Sequence, residues 1–166
     1  MKSFKEFLNE NDRNDYHGWS LYHGHNDRDM GEKIPYPHKR SHIFASQNKE
    51  DAEQYGNNLH SIHVRKGLNK IDFTDTTFGK DKISPVVKSL KKKFGKEHPN
   101  IEHVMQSGTL WRHKALESKV IPHVIGMGYH HIILPDQKNE EGENTESHII
   151  HDPQKNVFVS RKEQHS

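Results

Sequence analysis

Histidine and tyrosine are the residues whose chemistry first needs explaining. Sixteen of the 166 residues are histidine, and imidazole is both the commonest nitrogen ligand of metals and the side chain that titrates nearest neutrality. The spacing does not build a metal site. There is no HExxH, and His60/His63 and His130/His131 lie in strand-like sequence, where odd separations send side chains to opposite faces. The expectation is a compositional bias with most imidazoles in solvent and a charge that rises steeply below about pH 6.5. Tyr55 poses a different question. It ends the stretch "IFASQNKEDAEQYG" just before Gly56, so it either packs in a core or offers a ring on which something flat stacks.

The elements around these residues read as follows. "WSLYHG" is a short strand ending in His23 and Gly24, and "HIFAS" is the next. Residues 48–55 form a short helix with Asn48 as N-cap and Glu50 and Asp51 in the first turn, where acids suit the helix dipole. "LHSIHVRKG" alternates apolar and polar as a strand, and "KIDF" extends the sheet past the glycine turn. "SPVVKSLKKKFG" is a helix with Ser84 as N-cap, Pro85 at its first position and Gly95 as its stop. A second helical region runs from Thr109 to Lys119, and "VIPHVIGMG" carries it on to Gly126 and Gly128. "HHIILP", "SHIIHDP" and "NVFVS" are strands, with an acidic loop over 136–145. The order gives an α+β fold with a mixed or antiparallel sheet. No GxGxxG or Walker sequence is present to suggest a Rossmann or P-loop fold.

Composition bounds the answer. The apolar fraction is 30% and the charged fraction 29%, so a small core and long polar loops are expected. The formal charge of +2 makes no electrostatic case for nucleic acid. The sequence has no cysteine, which removes disulfides, thiolate nucleophiles and thiolate metal sites. No apolar run approaches a membrane span. Lys88, Lys91, Lys92 and Lys93 form the densest charge run, read as a solvated helix face.

The succession "LYHG", "IFAS…DAEQYG", "LHSIHVRKGLNKIDFTD", helices, "MGYHHIIL" and "SHIIHDPQKNV" resembles the ADP-ribosyltransferase-like superfamily in its histidine–tyrosine–glutamate pattern, over Leu21 to Val157. The resemblance implies split mixed or antiparallel sheets with flanking helices, and NAD as the substrate cofactor. It implies that His23 hydrogen-bonds an NAD ribose, that the Gly24 backbone clamps the nicotinamide amide, and that Tyr55 stacks on the ring. Ile43 or Phe44 stands at the second stacking position, where a tyrosine is expected, and Phe44 is the aromatic of the two. Ser46 matches the strand serine of the arginine-specific branch. The catalytic glutamate is implied at Glu146, although Ser147 occupies the aligned position. A one-residue shift on a strand reverses the face unless a bulge restores it, and Glu143 is the second candidate. Cleavage of the nicotinamide–ribose bond passes through an oxocarbenium-like state, which a carboxylate stabilises. Glu146 is expected to lie in polar surroundings without a buried partner.

The first ten residues, "MKSFKEFLNE", put Phe4, Phe7 and Leu8 on one stripe of a helix too short to be stable alone. They resemble the capsid-targeting peptides of internal head proteins in T4-like bacteriophages, which a prohead protease cuts after a Leu/Ile-x-Glu sequence, here Leu8-Asn9-Glu10. The organisation expected is a targeting peptide over 1–10, a linker over 11–19, one domain over 20–160 and a polar tail over 161–166. The segment between His23 and Ile43 is expected to be a mobile loop. The function implied is a phage-encoded, capsid-packaged mono-ADP-ribosyltransferase acting on a host protein in the host cytoplasm. The partners are then the host acceptor and the prohead scaffold or protease, with no membrane and no specific nucleic acid. The alternatives are a non-catalytic internal virion protein with the same fold, or an RNA 2′-phosphotransferase relying on His63 and Arg65.

Overall fold

The computed structural model describes residues 14–25, 42–75, 77, 79–137 and 144–163. The expected targeting peptide, nearly all of the loop before Ile43, and Glu143 lie outside the described residues. The chain separates into two compact units, Met1–Leu68 with Ile150–Ser166, and Asn69–Ile149. The domain expected over 20–160 therefore spans both.

The first unit holds strands β1 (Leu21–His25), β2 (His42–Ser46), β3 (Asn58–Val64) and β7 (Val157–Glu163), in the order β2-β1-β3-β7 with antiparallel pairing. Leu21 lies opposite Ile62, His23 opposite His60, Ile62 opposite Val159 and Val64 opposite Val157. Because strand side chains alternate, this register puts Leu21, Ile62, Val64, Val157 and Val159 on one face. With Ile43, Ala45 and Ile150 they form the core of the unit. The same face continues into His23, His25 and His60, all buried. Helix α1 (Lys49–Glu53) packs on the Gly24 side of β1. A short helix, α5 (Pro153–Asn156), precedes β7, and β7 runs on into the segment expected as a polar tail.

The second unit holds β4 (Lys70–Asp72), α2 (Lys80–Phe94), α3 (Ile101–Ser107), α4 (Lys114–Gly126), β5 (His131–Gln137) and most of β6 (Asn144–His151). β4 and β5 are parallel, with Lys70 opposite His131, Ile71 opposite Ile132 and Asp72 opposite Ile133. β6 lies beside β5. Ile83, Val86, Val87 and Leu90 of α2, Ile101, Val104 and Met105 of α3, and Leu116, Val120 and Val124 of α4 are buried, as are Ile71, Ile132, Leu134 and Ile149 of the strands. The fold is α+β with parallel and antiparallel pairing.

Three local expectations need correction. α2 starts at Lys80 instead of after Ser84, so Pro85 sits inside the helix. Proline there removes the backbone bond to Asp81, but a helix whose apolar stripe is buried tolerates the loss. α3 is absent from the expected elements, although Ile101, Val104 and Met105 have i, i+3, i+4 spacing and Gly108 closes the helix at φ 79°. Asn48 occupies the cap position of α1 without a side-chain capping bond; its Nδ2 donates to Asp51 Oδ2 at 3.2 Å.

Candidate functional site

In the first unit, β1 and β2 are registered at Tyr22↔Ser46, and His23 Nδ1 approaches the Phe44 carbonyl oxygen at 2.7 Å. A carbonyl only accepts, so the Nδ1–H donates and the tautomer is defined. His23 is 6% exposed, so its ring is part of the wall between the strands. Phe44 is half-buried, its ring edge-on to His42 at 5.5 Å. Ser46 is buried and its Oγ accepts from the Asn48 backbone N–H at 3.1 Å, which occupies it in the turn before α1.

Gly24 lies on the other face of β1, against the end of α1. A Cβ on Gly24 would overlap the Ala52 carbonyl oxygen and stand 3.5 Å from the Gly56 nitrogen. Only glycine lets the end of α1 lie so close to the strand. Tyr55, the residue before Gly56, is 45% exposed. Tyr55 is therefore not a core residue, and the residue that follows it lies close to Gly24.

The histidines depart most from expectation. Of the fourteen described, only His103 and His113 are exposed. In the first unit the His25 and His60 rings are parallel, 5.1 Å apart and 3° from coplanar in orientation, with their Nε2 atoms 3.1 Å apart. One of these nitrogens must be protonated and the other not. Burial first, and then the charge of His25, push the His60 pKa down to about 4. His60 Nδ1 is buried without a hydrogen-bond partner, a further reason for the ring to stay neutral. The solvated-histidine expectation fails because the sheet register sets these rings on the inward face.

Glu146 lies in the second unit, on β6. Its side chain is 37% exposed. Thr74 Oγ1 is 3.4 Å from Oε1 and His148 Nε2 is 3.5 Å from Oε2. The latter is an ion-pair separation longer than a hydrogen bond, so His148 Nε2 also counts as buried without a hydrogen-bond partner. Glu146 and His148, two apart on a strand, share a face. His148 Nδ1 is 2.9 Å from His131 Nε2, and both rings are 4% exposed. Thr74 also donates, through its backbone N–H and its hydroxyl, to Asp72 Oδ1. Burial pushes the His148 pKa down, while Glu146 and Asp72 oppose that and Lys70 reinforces it. Ser147, on the opposite face, donates to Asp136 Oδ2 at 3.0 Å. The expectation that Glu146 has no buried partner is corrected: the buried His148 stands beside it.

The predicted residues thus fall into two groups, His23, Gly24, Phe44, Ser46 and Tyr55 in one unit and Glu146 in the other. Sequence reasoning missed His25, His60, His131, His148, Thr74 and Asp72 as members of polar clusters. The available signal was the i, i+2 spacing of His23/His25 and Glu146/His148. Among the described residues no group of three or more His, Asp or Glu is arranged to hold a metal ion. A groove of about 210 Å³ lined by Ile83, Val87, Lys88, Lys91 and Glu102 contains none of the predicted residues.

No protein-family model matches the chain, and no curated protein matches it. Among solved structures it is similar to one described as an anti-CRISPR protein, at 15% identity and a TM-score of 0.48, over 87% of this chain and 95% of that one. At that level of likeness neither fold family nor function follows.

Proposed function

We propose that the chain is an NAD-dependent mono-ADP-ribosyltransferase whose first unit receives the nicotinamide end of NAD at Gly24 and Tyr55. One observation carries the reading: Tyr55 is partly exposed, and the backbone nitrogen of the next residue, Gly56, lies close to a strand glycine that has no room for a side chain. Offset stacking on such a ring contributes roughly 0.5–1.5 kcal/mol beyond burial. Phe44, half-exposed on the same unit, is the second aromatic of this reading. His23, buried on the inward face, keeps the strand end in shape through Phe44; the ribose bond is the role that the resemblance gives it. In the reaction the C1′–N bond of NAD breaks, nicotinamide leaves with the bonding pair, and an acceptor nucleophile bonds to C1′ and loses its proton. Glu146 is the carboxylate that the resemblance names for stabilising the cationic sugar.

The acceptor is a host protein, and the protein is phage-encoded and packaged in the capsid; this part rests on residues 1–10 alone. Calorimetric titration with NAD, and incubation with labelled NAD and host lysate, test the reading. Binding and transfer of label are expected, and absence of both overturns it. A second reading, a virion protein that binds NAD without catalysis, is favoured by Ser147, which occupies the position aligned with the acid and donates to Asp136. Binding without transfer selects it.

A further inference from the structure

We propose that Glu146, His148 and His131 form a directional hydrogen-bonded relay in which His148 is the positioning residue of the Glu146 carboxylate and Thr74 its second anchor. This deepens the proposed function and rests on Glu146 being its acid.

The argument starts from strand geometry. Alternation on β6 gives Glu146 and His148 one face, and the parallel register of β4 and β5 sets Lys70 opposite His131 with Asp72 two residues on along the same face. His148 bridges this set. Its Nδ1 meets His131 Nε2 at 2.9 Å, and its Nε2 has as its polar neighbour Glu146 Oε2 at 3.5 Å. A buried ring nitrogen without a hydrogen bond costs about 1–3 kcal/mol. A carboxylate accepts only, so closing the 3.5 Å gap requires the proton on His148 Nε2. That leaves His148 Nδ1 as acceptor and the proton of the inner bond on His131 Nε2. Each proton position follows from the next. His148 is thereby neutral, in keeping with its burial, and the chain ends on a carboxylate that is partly in solvent.

Thr74 Oγ1 stands 3.4 Å from the other oxygen. Its hydroxyl has one proton and two carboxylate neighbours, Asp72 Oδ1 and the more distant Glu146 Oε1. In the arrangement described it donates to Asp72, and a turn of the hydroxyl transfers the bond to Glu146. With the hydroxyl so turned, His148 and Thr74 together restrict both oxygens of Glu146 and so aim the carboxylate. The charged neighbours of His148 are Glu146 on its own strand and Lys70 and Asp72 on β4.

Nitrogen-15 NMR of the histidine side chains, on the full chain without NAD, reads the relay directly. The expected signature is Nε2–H on both His131 and His148. Glu146→Gln should lower the His148 titration midpoint further, since the carboxylate that opposed the lowering is gone, and should perturb the His131 signals through the shared bond. Unchanged His148 and His131 signals in Glu146→Gln, or an Nδ1–H tautomer on His148, overturn the proposal. In transfer assays, His148→Gln is expected to lower kcat about tenfold with KM for NAD within about twofold, and Thr74→Val to lower it less. If His148→Gln does not fold, Thr74→Val together with the NMR of Glu146→Gln still decides. Failure of NAD turnover in the parent would remove the proposed function, while the NMR spectra would still decide whether the relay exists.

Discussion

Each unit buries a pair of imidazoles joined nitrogen to nitrogen, and the two pairs keep different company. His25 and His60 sit at the end of an apolar sheet face beside His23, and no carboxylate enters the balance that lowers the His60 pKa. His131 and His148 lie on a face with Asp72 and Glu146, whose charges oppose the effect of burial on His148. His60 of the first pair is therefore a structural residue that resists protonation. The second is coupled to an acid that reaches solvent. Burial alone predicts neither role; the neighbouring charge decides.

The largest effect should come from the packing that separates the first unit's two faces. Gly24→Ala forces a methyl into the Ala52 carbonyl. It should destabilise the chain by about 3 kcal/mol or more, measured by urea unfolding, and weaken NAD binding as α1 shifts. A loss below about 1 kcal/mol would mean that α1 is not seated as described.

Acidification breaks the comparison between the pairs. His60 has its pKa lowered to about 4 in the fold, so below the unfolded value of about 6.5 the unfolded chain binds the extra proton and the folded chain does not. Stability is complete above about pH 6.5 and is lost progressively as pH falls toward 4, by up to about 3 kcal/mol from this residue. Hydrogen exchange at stepped pH should show β1 and β3 losing protection first. Earlier loss in β5 and β6 would reverse the assignment of roles. His60→Leu should flatten the acid limb.

Glu146→Gln keeps size and removes charge. It should lower the transfer rate at least about a hundredfold, roughly 2.7 kcal/mol at the barrier, with NAD affinity nearly unchanged. Equal rates in parent and variant would remove Glu146 from the chemistry and direct the test to Glu143. The smallest effect is that of Tyr55→Ala, expected to weaken NAD binding by about 1 kcal/mol through lost stacking and to alter stability by less than about 0.5 kcal/mol because the ring is exposed. A larger stability loss would make Tyr55 a packing residue.

Much of the fold is legible locally. Period-two alternation around Ile62 marks one strand, and short apolar runs such as that at Ile132–Leu134 mark others. The apolar stripe through Val86, Val87 and Leu90 marks α2, and Gly95 closes it as expected. The start of α2 is misleading because Ser84-Pro85 imitates a helix entry, whereas the chain enters at Gly79. α3 is hard to see because its seven residues follow directly on Pro99-Asn100, a turn signal that draws the whole segment into a loop.

The sequence by itself determined what chemistry is closed to this protein and which residues alternate onto a common face. Without cysteine there is no thiolate chemistry, and His23/His25 and Glu146/His148 had to point the same way. Tertiary structure alone decided which face turned inward and which strands met. Nothing local opposes His23 to His60, or brings His131 within 2.9 Å of His148, because sheet register is fixed by apolar faces that pair across long stretches of chain. The ionisation of a buried imidazole follows from that register, since it depends on the solvent excluded and the charge alongside, and a sequence read one segment at a time contains neither.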